Sequence, residues 1–477
     1  MERILLTNEM REIDDYNINK LGISSLVFIE RAGNAVAEEI IKKFKGGRVL
    51  VCVGKGNNGE DAKIVAEILK KKHGFTVTTL NVFNGFFKLL EKPYDIIVDG
   101  IFGTGLKREV EGKYKEAIEI INNSGAYVVS IDIPSGLNGD TGMPLGVSVK
   151  ANLTIAIQEY KLGHFINDGP DYCGKIICRD IGLSIWEENY IKRITNSFAK
   201  KFFTPRKRNV NKGSFGKTTV CGGSKNYFGS VLLSLNSLLA LKMGVGYANL
   251  CVPKCLYSTY AGLNPECTIS TINSADGNFV FNEEDVKSLF KYNSISFGMG
   301  IGVNEENYKI VKYILENYTG RLVIDADGLN TIAKYGLEIL KNKKCEVVLT
   351  PHVKEFSRLV NLEVNEIKNN TIEIIKSFAS EYNVILLLKD SASFITNGKE
   401  IYLNTTGNNS LAKAGSGDTL SGILAGILAR GYDLLESVVV SCYLLGITAE
   451  IAVKNNNEYT VTATDIVKYL PNAINSL

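Results

Sequence analysis

Short apolar runs alternate with amphipathic helical stretches along nearly the whole chain, and that alternation excludes most folds. A strand, a helix and a second strand in the same sense build a parallel sheet with helices on its faces. In the first half the strand-like runs are 48–53, 76–82, 95–100, 127–133 and 153–157. A second series begins at 218–221 and continues through 249–252, 294–297, 322–324, 347–349 and 384–388. A chain of 477 residues exceeds what one hydrophobic core serves, so two α/β domains are expected. Between the series, "KKFFTPRKRNVNKGSFGK" breaks the pattern with Pro205 and a basic cluster. The boundary is placed near Thr204, giving domains 1–204 and 205–477.

The first strand runs into "VCVGKGNNGED", residues 51–61, which fits G-x-G-x-x-G at a strand-to-helix turn. Glycines let main-chain N–H groups approach an anion, and a helix start favours negative charge. A redox dinucleotide site also needs an acidic residue about 20 positions on, at the end of the second strand, for the ribose hydroxyls. That end reads Leu80-Asn81-Val82, without a carboxylate. The residues alone leave three readings: a cofactor loop, a generic turn, and a loop that holds a nucleotide-like substrate. At the junction, "GSFGKTT" is not a P-loop, because Gly213 and Gly216 enclose two residues where that motif needs four.

Composition removes other classes. The chain is 45% hydrophobic and 22% charged, as globular proteins are. Its 54 basic and 51 acidic residues leave only +3, which argues against a dedicated nucleic-acid or membrane-surface role. Nine scattered cysteines without zinc-finger histidine spacing read as reduced thiols of a cytoplasmic protein. Residues 1–15 carry charges throughout, so no signal peptide is expected, and the apolar run 231–243 is too short to span a bilayer.

The densest chemical signal is "NNSLAKAGSGDTLSGILAGILARG", 408–431. Ala414-Gly415-Ser416-Gly417 is a small-residue turn leading into a helix that begins near Asp418. Its N–H groups would form an anion hole, and Asp418 at its mouth could take a proton from an attacking hydroxyl. Asp418 as a plain helix N-cap reads equally well from these residues alone. Four further polar motifs, "GMGIG" (298–302), "DADGLN" (325–330), "TPHVKEFSRL" (350–359) and "LLLKDSASFIT" (386–396), each adjoin an expected strand end. Open α/β sheets bind ligands at that edge.

With "NKGSFGK" and "GGS", these motifs resemble the NAD(P)H-hydrate dehydratase family, of ribokinase-like fold, from about residue 206 to the end. In the first half, "LTNEMREID", "LVFIERAGNAVAEEI", "GKGNNGED", "DGIFGTGLKRE" and "DIPSGLNGDTG" resemble the NAD(P)H-hydrate epimerase family, of Rossmann-like fold. The fusion resembles the bifunctional enzymes that repair hydrated nicotinamide nucleotides. The opening loop then approaches a damaged dinucleotide as substrate, and the absent ribose carboxylate is no anomaly.

The resemblance implies roles residue by residue. In the first half, Asn57, Asn58, Gly59, Glu60 and Asp61 would line the hydrated nucleotide, with Gly103, Thr104, Gly105, Leu106, Lys107, Arg108 and Glu109. Asp132 would bind it and move the proton at the epimerising carbon, assisted by Lys161. Asn58, Asp99 and Ser135 would ligate K+. Glu60 departs from the family's usual glycine, and its charge would repel a pyrophosphate unless it points away. In the second half, Gly302, His352 and Asp418 would contact the hydrate. Lys389, Asp390, Ser391, Ala392 and Ser393, with Ala414, Gly415, Ser416 and Gly417, would contact the adenine nucleotide. A lone histidine such as His352 is otherwise commonly a structural hydrogen-bonder. Asn211, Val353-Lys354 and Asp390 depart from the family pattern.

The implied reaction is a kinase step that ends as a lyase: ADP with Mg2+ phosphorylates the S hydrate, and phosphate leaves to restore NADH or NADPH. A cytoplasmic homo-oligomer acting on small molecules is expected, with no nucleic-acid or membrane partner. The alternative is a vitamin-type small-alcohol kinase behind a non-catalytic nucleotide-sensing first half.

Overall fold

In the computed structural model, which describes residues 1–85, 92–186, 190–239 and 243–477, the chain forms two compact units. One comprises residues 3–191, the other 192–477 together with Met1 and Glu2.

The first unit is built on a six-stranded parallel sheet, in spatial order Phe75–Asn81, Gly47–Val53, Ile96–Gly100, Tyr127–Ile131, Leu153–Ile157, Lys175–Arg179. Its central strand shows why these residues form this element. Val49, Val51 and Val53 share a cluster with the helices Ser25–Lys43 and Asn57–Lys70 on one face. Leu50 and Cys52 join the helix Gly112–Asn123 on the other. A strand buried on both faces must be apolar at every position, and this one is from Val49 on. The last strand, "KIICR", has basic ends and sits only partly buried at the edge, so it gives no apolar run to read. Helices on both faces of a parallel sheet make this the expected three-layer, Rossmann-like arrangement.

The second unit follows the same logic. Its parallel strands run in the order Thr268–Ile272, Tyr247–Pro253, Lys217–Cys221, Ser294–Phe297, Arg321–Ile324, Glu346–Leu349, Ile385–Leu388. Two antiparallel strands, Ser393–Thr396 and Ile401–Asn404, then extend the sheet. Ser393–Thr396 lies inside the 386–396 motif and Ile401–Asn404 in no expected strand, because a tight hairpin breaks the strand–helix alternation. The helix Ser416–Ala429 is apolar around its whole circumference because it is packed on all sides. Leu434–Asn455 is long and apolar enough to cross a membrane by composition, yet 72% of its most apolar stretch is buried within the protein, as in a core helix. It is a longer apolar segment than 231–243, which forms most of the helix Phe228–Leu239 and whose residues 240–242 lie outside the described ones.

The division between units falls upstream of Thr204. The short strand Ile191–Arg193 pairs with Ile401–Asn404 through Lys192 and Arg193. Phe198 and Phe202 are buried in the core of the second unit, Phe202 against Tyr432 at 4.9 Å between ring centres. Pro205 and the basic residues mark a composition break, but they follow the segment that the second core already holds.

A fragment spanning 190–477 should therefore unfold at a higher temperature than one spanning 204–477. The shorter piece lacks two buried aromatics, each costing about 3–5 kcal/mol when truncated. Equal Tm values by calorimetry would place 191–203 outside the core.

Candidate active sites

In the first unit, Gly47–Val53 lies between the two strands that follow it in sequence, so the winding reverses beside it. Loops after residues 53 and 100 flank that switch point, where a crevice opens. A Cβ on Gly54 would sit 1.8 Å from the Ile101 carbonyl oxygen, and one on Gly59 2.2 Å from that of Gly54. Two of the three motif glycines are thus demanded by main-chain packing. Gly56 stands in open space as N-cap of the helix Asn57–Lys70, and no side chain caps that helix. The Gly59 and Glu60 amides donate to the Gly56 carbonyl at 2.8 and 3.2 Å, which leaves the amides of Asn57 and Asn58 at the helix start for an anion. Glu60 lies 46% exposed and pairs with Lys63 Nζ at 2.7 Å, one helical turn on, so its charge is directed to solvent and compensated. Across the crevice, Gly103, Thr104 and Leu106 are half-buried, while Gly105, Lys107, Arg108 and Glu109 are exposed.

Asn58, Asp99 and Ser135 converge behind this loop. Asp99 is fully buried; its Oδ2 accepts from Ser130 Oγ at 2.8 Å and Ser135 N at 2.9 Å, and its Oδ1 from Ser135 Oγ at 2.5 Å. Asn58 Nδ2 donates to the Phe102 carbonyl at 2.9 Å, and the Phe102 amide donates to Ser135 Oγ at 2.8 Å. Burial pushes the Asp99 carboxyl up, opposed by the hydrogen bonds from Ser135, Ser130 and the Ile101 amide. A buried carboxylate, a hydroxyl, a main-chain carbonyl and a side-chain amide are hard oxygen donors, and they fit a monovalent cation. Among the described residues no group of three or more His, Cys, Asp or Glu could hold a metal ion.

Asp132 follows the next strand with a φ of +63°, a conformation costly for a residue with a Cβ. Its amide donates to the Ile155 carbonyl at 2.8 Å. Its carboxylate accepts from the Ile157 amide at 3.0 Å and forms an ion pair with Lys161, whose side chain is buried. His164 ties both residues down. Its Nδ1 accepts from the Lys161 amide at 3.1 Å, and its Nε2 lies 2.9 Å from the Asp132 carbonyl, which places the proton on Nε2. Burial, then the Lys161 charge, lowers His164 to about 4, so this ring is neutral near pH 7. Asp61 is pushed up to about 8 by burial, then by Asp132, Glu60 and Asp14. Asp14 is raised to about 6 by burial, with Lys161 opposing and Asp132 adding. Neither Asp14 nor His164 was anticipated. Asp14 ends the motif "LTNEMREID" and His164 stands three residues after Lys161, but spacing carries no sign of which residues they face.

In the second unit the switch point lies between Lys217–Cys221 and Ser294–Phe297; "NKGSFGK" precedes Lys217–Cys221, whereas the motifs at 298–302, 325–330, 350–359 and 386–396 stand at the carboxyl ends of strands on one edge. The helix Ser416–Ala429 starts there, with Gly415 as N-cap at a φ of +93°. Asp418 is therefore the third helical residue and not the N-cap. It is half-buried and pushed up to about 7, by burial first and by Asp325 next, while Lys389 and a hydrogen bond with Ser230 oppose. Ser416 Oγ is buried at the turn without a hydrogen-bond partner.

Beneath this turn Lys389, expected at the adenine nucleotide, pairs with Asp325. Lys389 Nζ donates to Asp325 Oδ1 at 2.9 Å, and Ser421 Oγ donates to Asp325 Oδ2 at 2.5 Å. A Cβ on Gly417 would lie 3.4 Å from Lys389 Nζ, so glycine lets the turn approach the ammonium. Burial alone would lower the Lys389 ammonium, but Asp325, Glu355 and Asp418 hold it above its ordinary value. Ala392 is buried, Ser393 half-buried, Asp390 and Ser391 exposed, and Asp390 faces Lys368 at 3.8 Å. The Gly302 amide, at a φ of +75°, donates to Asp327 Oδ2 at 2.8 Å. His352 is both things at once. Its Nδ1 accepts from the Glu355 amide at 3.2 Å, capping the helix Val353–Val360, while half of the ring faces solvent at the sheet edge.

Comparison with known proteins identifies the family. Residues 218–472 match the NAD(P)H-hydrate dehydratase family, and residues 25–89 and 83–163 match the YjeF-related protein N-terminus. The chain is 30% identical to a bifunctional NAD(P)H-hydrate repair enzyme of Dictyoglomus turgidum, over 100% of this chain and 99% of that one. It is 31% identical to that of Archaeoglobus fulgidus over 97% of each. A solved ADP/ATP-dependent NAD(P)H-hydrate dehydratase of Bacillus subtilis, co-crystallised with ATP and Mg2+, is 25% identical, with a TM-score of 0.52. That match covers 60% of this chain and 98% of the other. A ribokinase-like protein of Enterococcus faecalis, 22% identical with a TM-score of 0.52, shares the second unit's fold over 62% of this chain and 99% of its own.

The Asp61 carboxyl yields a stability prediction. A group raised from 3.8 to about 8 on folding favours the folded state most below about pH 4, and that contribution is lost as pH rises through 8. Asp61→Asn stays neutral, so its Tm relative to wild type should rise between pH 5 and pH 9, by roughly 2–4 °C per kcal/mol recovered. A pH-independent difference in scanning calorimetry would show that Asp61 is not held protonated.

Proposed function

The chain belongs to the family of bifunctional NAD(P)H-hydrate repair enzymes, and from that premise we propose how its residues divide the work. The protein interconverts the R and S forms of hydrated NADH and NADPH in its first unit. In its second unit it dehydrates the S form with an adenine nucleotide as phosphoryl donor. The observation that carries this reading is Asp418: a carboxyl near 7 at the first turn of an uncapped helix, above a buried Lys389–Asp325 pair.

In the second unit, Asp418 takes the proton of the ring hydroxyl as that oxygen attacks the terminal phosphoryl group. The amides of the 414–417 turn meet the charge on that group. Lys389, held by Asp325, adds a fixed positive charge directly beneath Gly417. The carbon–oxygen bond to the phosphoryl group then breaks, pushed by the ring nitrogen lone pair; phosphate leaves, and loss of a proton from the adjacent ring carbon to solvent restores the double bond of the nicotinamide ring. We assign ADP as the donor, leaving AMP. Mg2+ accompanying the nucleotide's phosphates would supply charge neutralisation there.

In the first unit, Asp132 receives and returns the proton at the epimerising carbon, oriented by Lys161 and the Ile157 amide. Asp61, raised to about 8 by burial, would donate to an oxygen of the hydrate. Residues 57–61 and 103–109 border the dinucleotide. Asn58, Asp99, Ser135 and the Phe102 carbonyl would hold K+, which supplies positive charge beside the pyrophosphate. A cytoplasmic homo-oligomer completes the reading.

The test is to incubate the protein with ADP, Mg2+ and hydrated NADH, and to follow the nicotinamide absorbance and free phosphate. A stable phosphorylated product without phosphate release would instead indicate a small-alcohol kinase. Asp418→Asn should lower dehydration by about 10² or more while leaving nucleotide binding intact. Because the base must be ionised, the wild-type rate should climb with pH through about 7; a flat profile from pH 6 to 8 would remove Asp418 from that role. With R hydrate, wild type should run to completion and Asp132→Ala should stall, approaching the spontaneous epimerisation rate. Glu60→Gly should change epimerisation by less than about tenfold, since Glu60 is turned to Lys63.

A further inference from the structure

Lys413 immediately precedes the 414–417 turn, and no step above uses it. Its ammonium donates to three main-chain carbonyl oxygens of one loop: Val461 at 2.7 Å, Tyr459 at 2.8 Å and Glu458 at 3.2 Å. That loop is folded around Asn457, whose carbonyl accepts from the Thr460 amide at 2.9 Å and the Val461 amide at 3.1 Å. Asn457 Oδ1 accepts from the Tyr459 amide at 2.9 Å. The loop's amides are thus turned onto Asn457 while three of its carbonyls face one cation.

The loop is also tied to the turn. A Cβ on Gly415 would lie 3.0 Å from that of Ala463, the first residue of the helix that follows the loop. The Lys413 carbonyl accepts from the Ser416 amide at 3.4 Å, so the residue whose side chain is clamped by the loop also holds the first helical residue. Three neutral carbonyl dipoles converging on one point are repulsive unless a cation lies between them. A chelating carboxylate is not among the three contacts; the ligand set is that of a weakly hydrated monovalent ion, which an ammonium resembles in charge and size.

We propose that Lys413 is a positioning residue whose ammonium acts as a covalently tethered monovalent cation, locking the 458–461 loop against the phosphate-binding turn. The proposal rests on the dehydratase reading for what the turn does. It makes the second unit's activity independent of K+, because the cation is built into the chain.

The test uses the full-length protein, with S hydrate and MgADP as substrates so that no epimerisation is needed. Tetramethylammonium, too large to enter between the carbonyls, serves as the background cation. Lys413→Met should lose about tenfold or more in kcat, and K+ or NH4+ should restore a substantial part where Li+ does not. Wild type should not respond to these ions at the dehydration step. Independently of activity, K+ should raise the Tm of Lys413→Met more than that of wild type, which corrects for any K+ bound in the first unit. If Lys413→Met does not accumulate as folded protein, Lys413→Gln serves, with the same ion selectivity expected. Loss of activity with no cation-selective recovery in rate or Tm overturns the proposal. An inert wild type whose lysine variants still show the K+-selective Tm gain would overturn the dehydratase reading and leave the tethered cation standing.

Discussion

Parallel strands buried on both faces leave the chain one place to meet polar ligands: the edge where their carboxyl ends emerge. Every residue with assigned chemistry in either unit stands at that edge or on a helix that starts there. The constraint is covalent as much as energetic. A right-handed strand–helix–strand crossover returns each strand in the same sense, so successive loops accumulate at one rim. Loops far apart in sequence thereby come together, as residues 54–61, 99–109 and 132–135 do in the first unit.

Both units place a buried aspartate at the end of a central strand, and each answers it differently. Asp99 is met by serine hydroxyls and amides, which leaves a cluster of hard oxygens suited to a cation. Asp325 is met by Lys389 and Ser421, so its site already carries its own positive charge. An unpaired buried carboxylate is costly, and both arrangements offset that cost while fixing charge where a phosphate must approach. The same economy recurs at Lys413, where an ammonium stands among carbonyls.

The neighbourhood of Asp132 shows how strain and burial cooperate. Its positive φ turns the side chain out of the strand line, and His164 and Ile155 hold the main chain in that state. Three carboxyls and one buried ammonium then share a small volume. Burial keeps Asp61 and Asp14 protonated to higher pH than usual, which limits the repulsion they would otherwise impose on Asp132.

The sequence by itself determined the two α/β series, most central strands, and the loops that carry chemistry. Burial on two faces forces unbroken apolar runs, and strand ends force polar, glycine-rich turns. It also exposed the missing ribose carboxylate, the group that an NAD redox site uses to hold the ribose hydroxyls. What only the tertiary structure decided concerns partners across loops. Asp14 near Asp132, His164 bridging two backbones, and Lys389 committed to Asp325 depend on where folded elements pass each other. So does the division upstream of Thr204, since Phe198 and Phe202 read as ordinary aromatics until a core closes over them. Local sequence encodes period and turn chemistry; which side chains meet is set by packing between elements distant in the chain, and no local pattern records it.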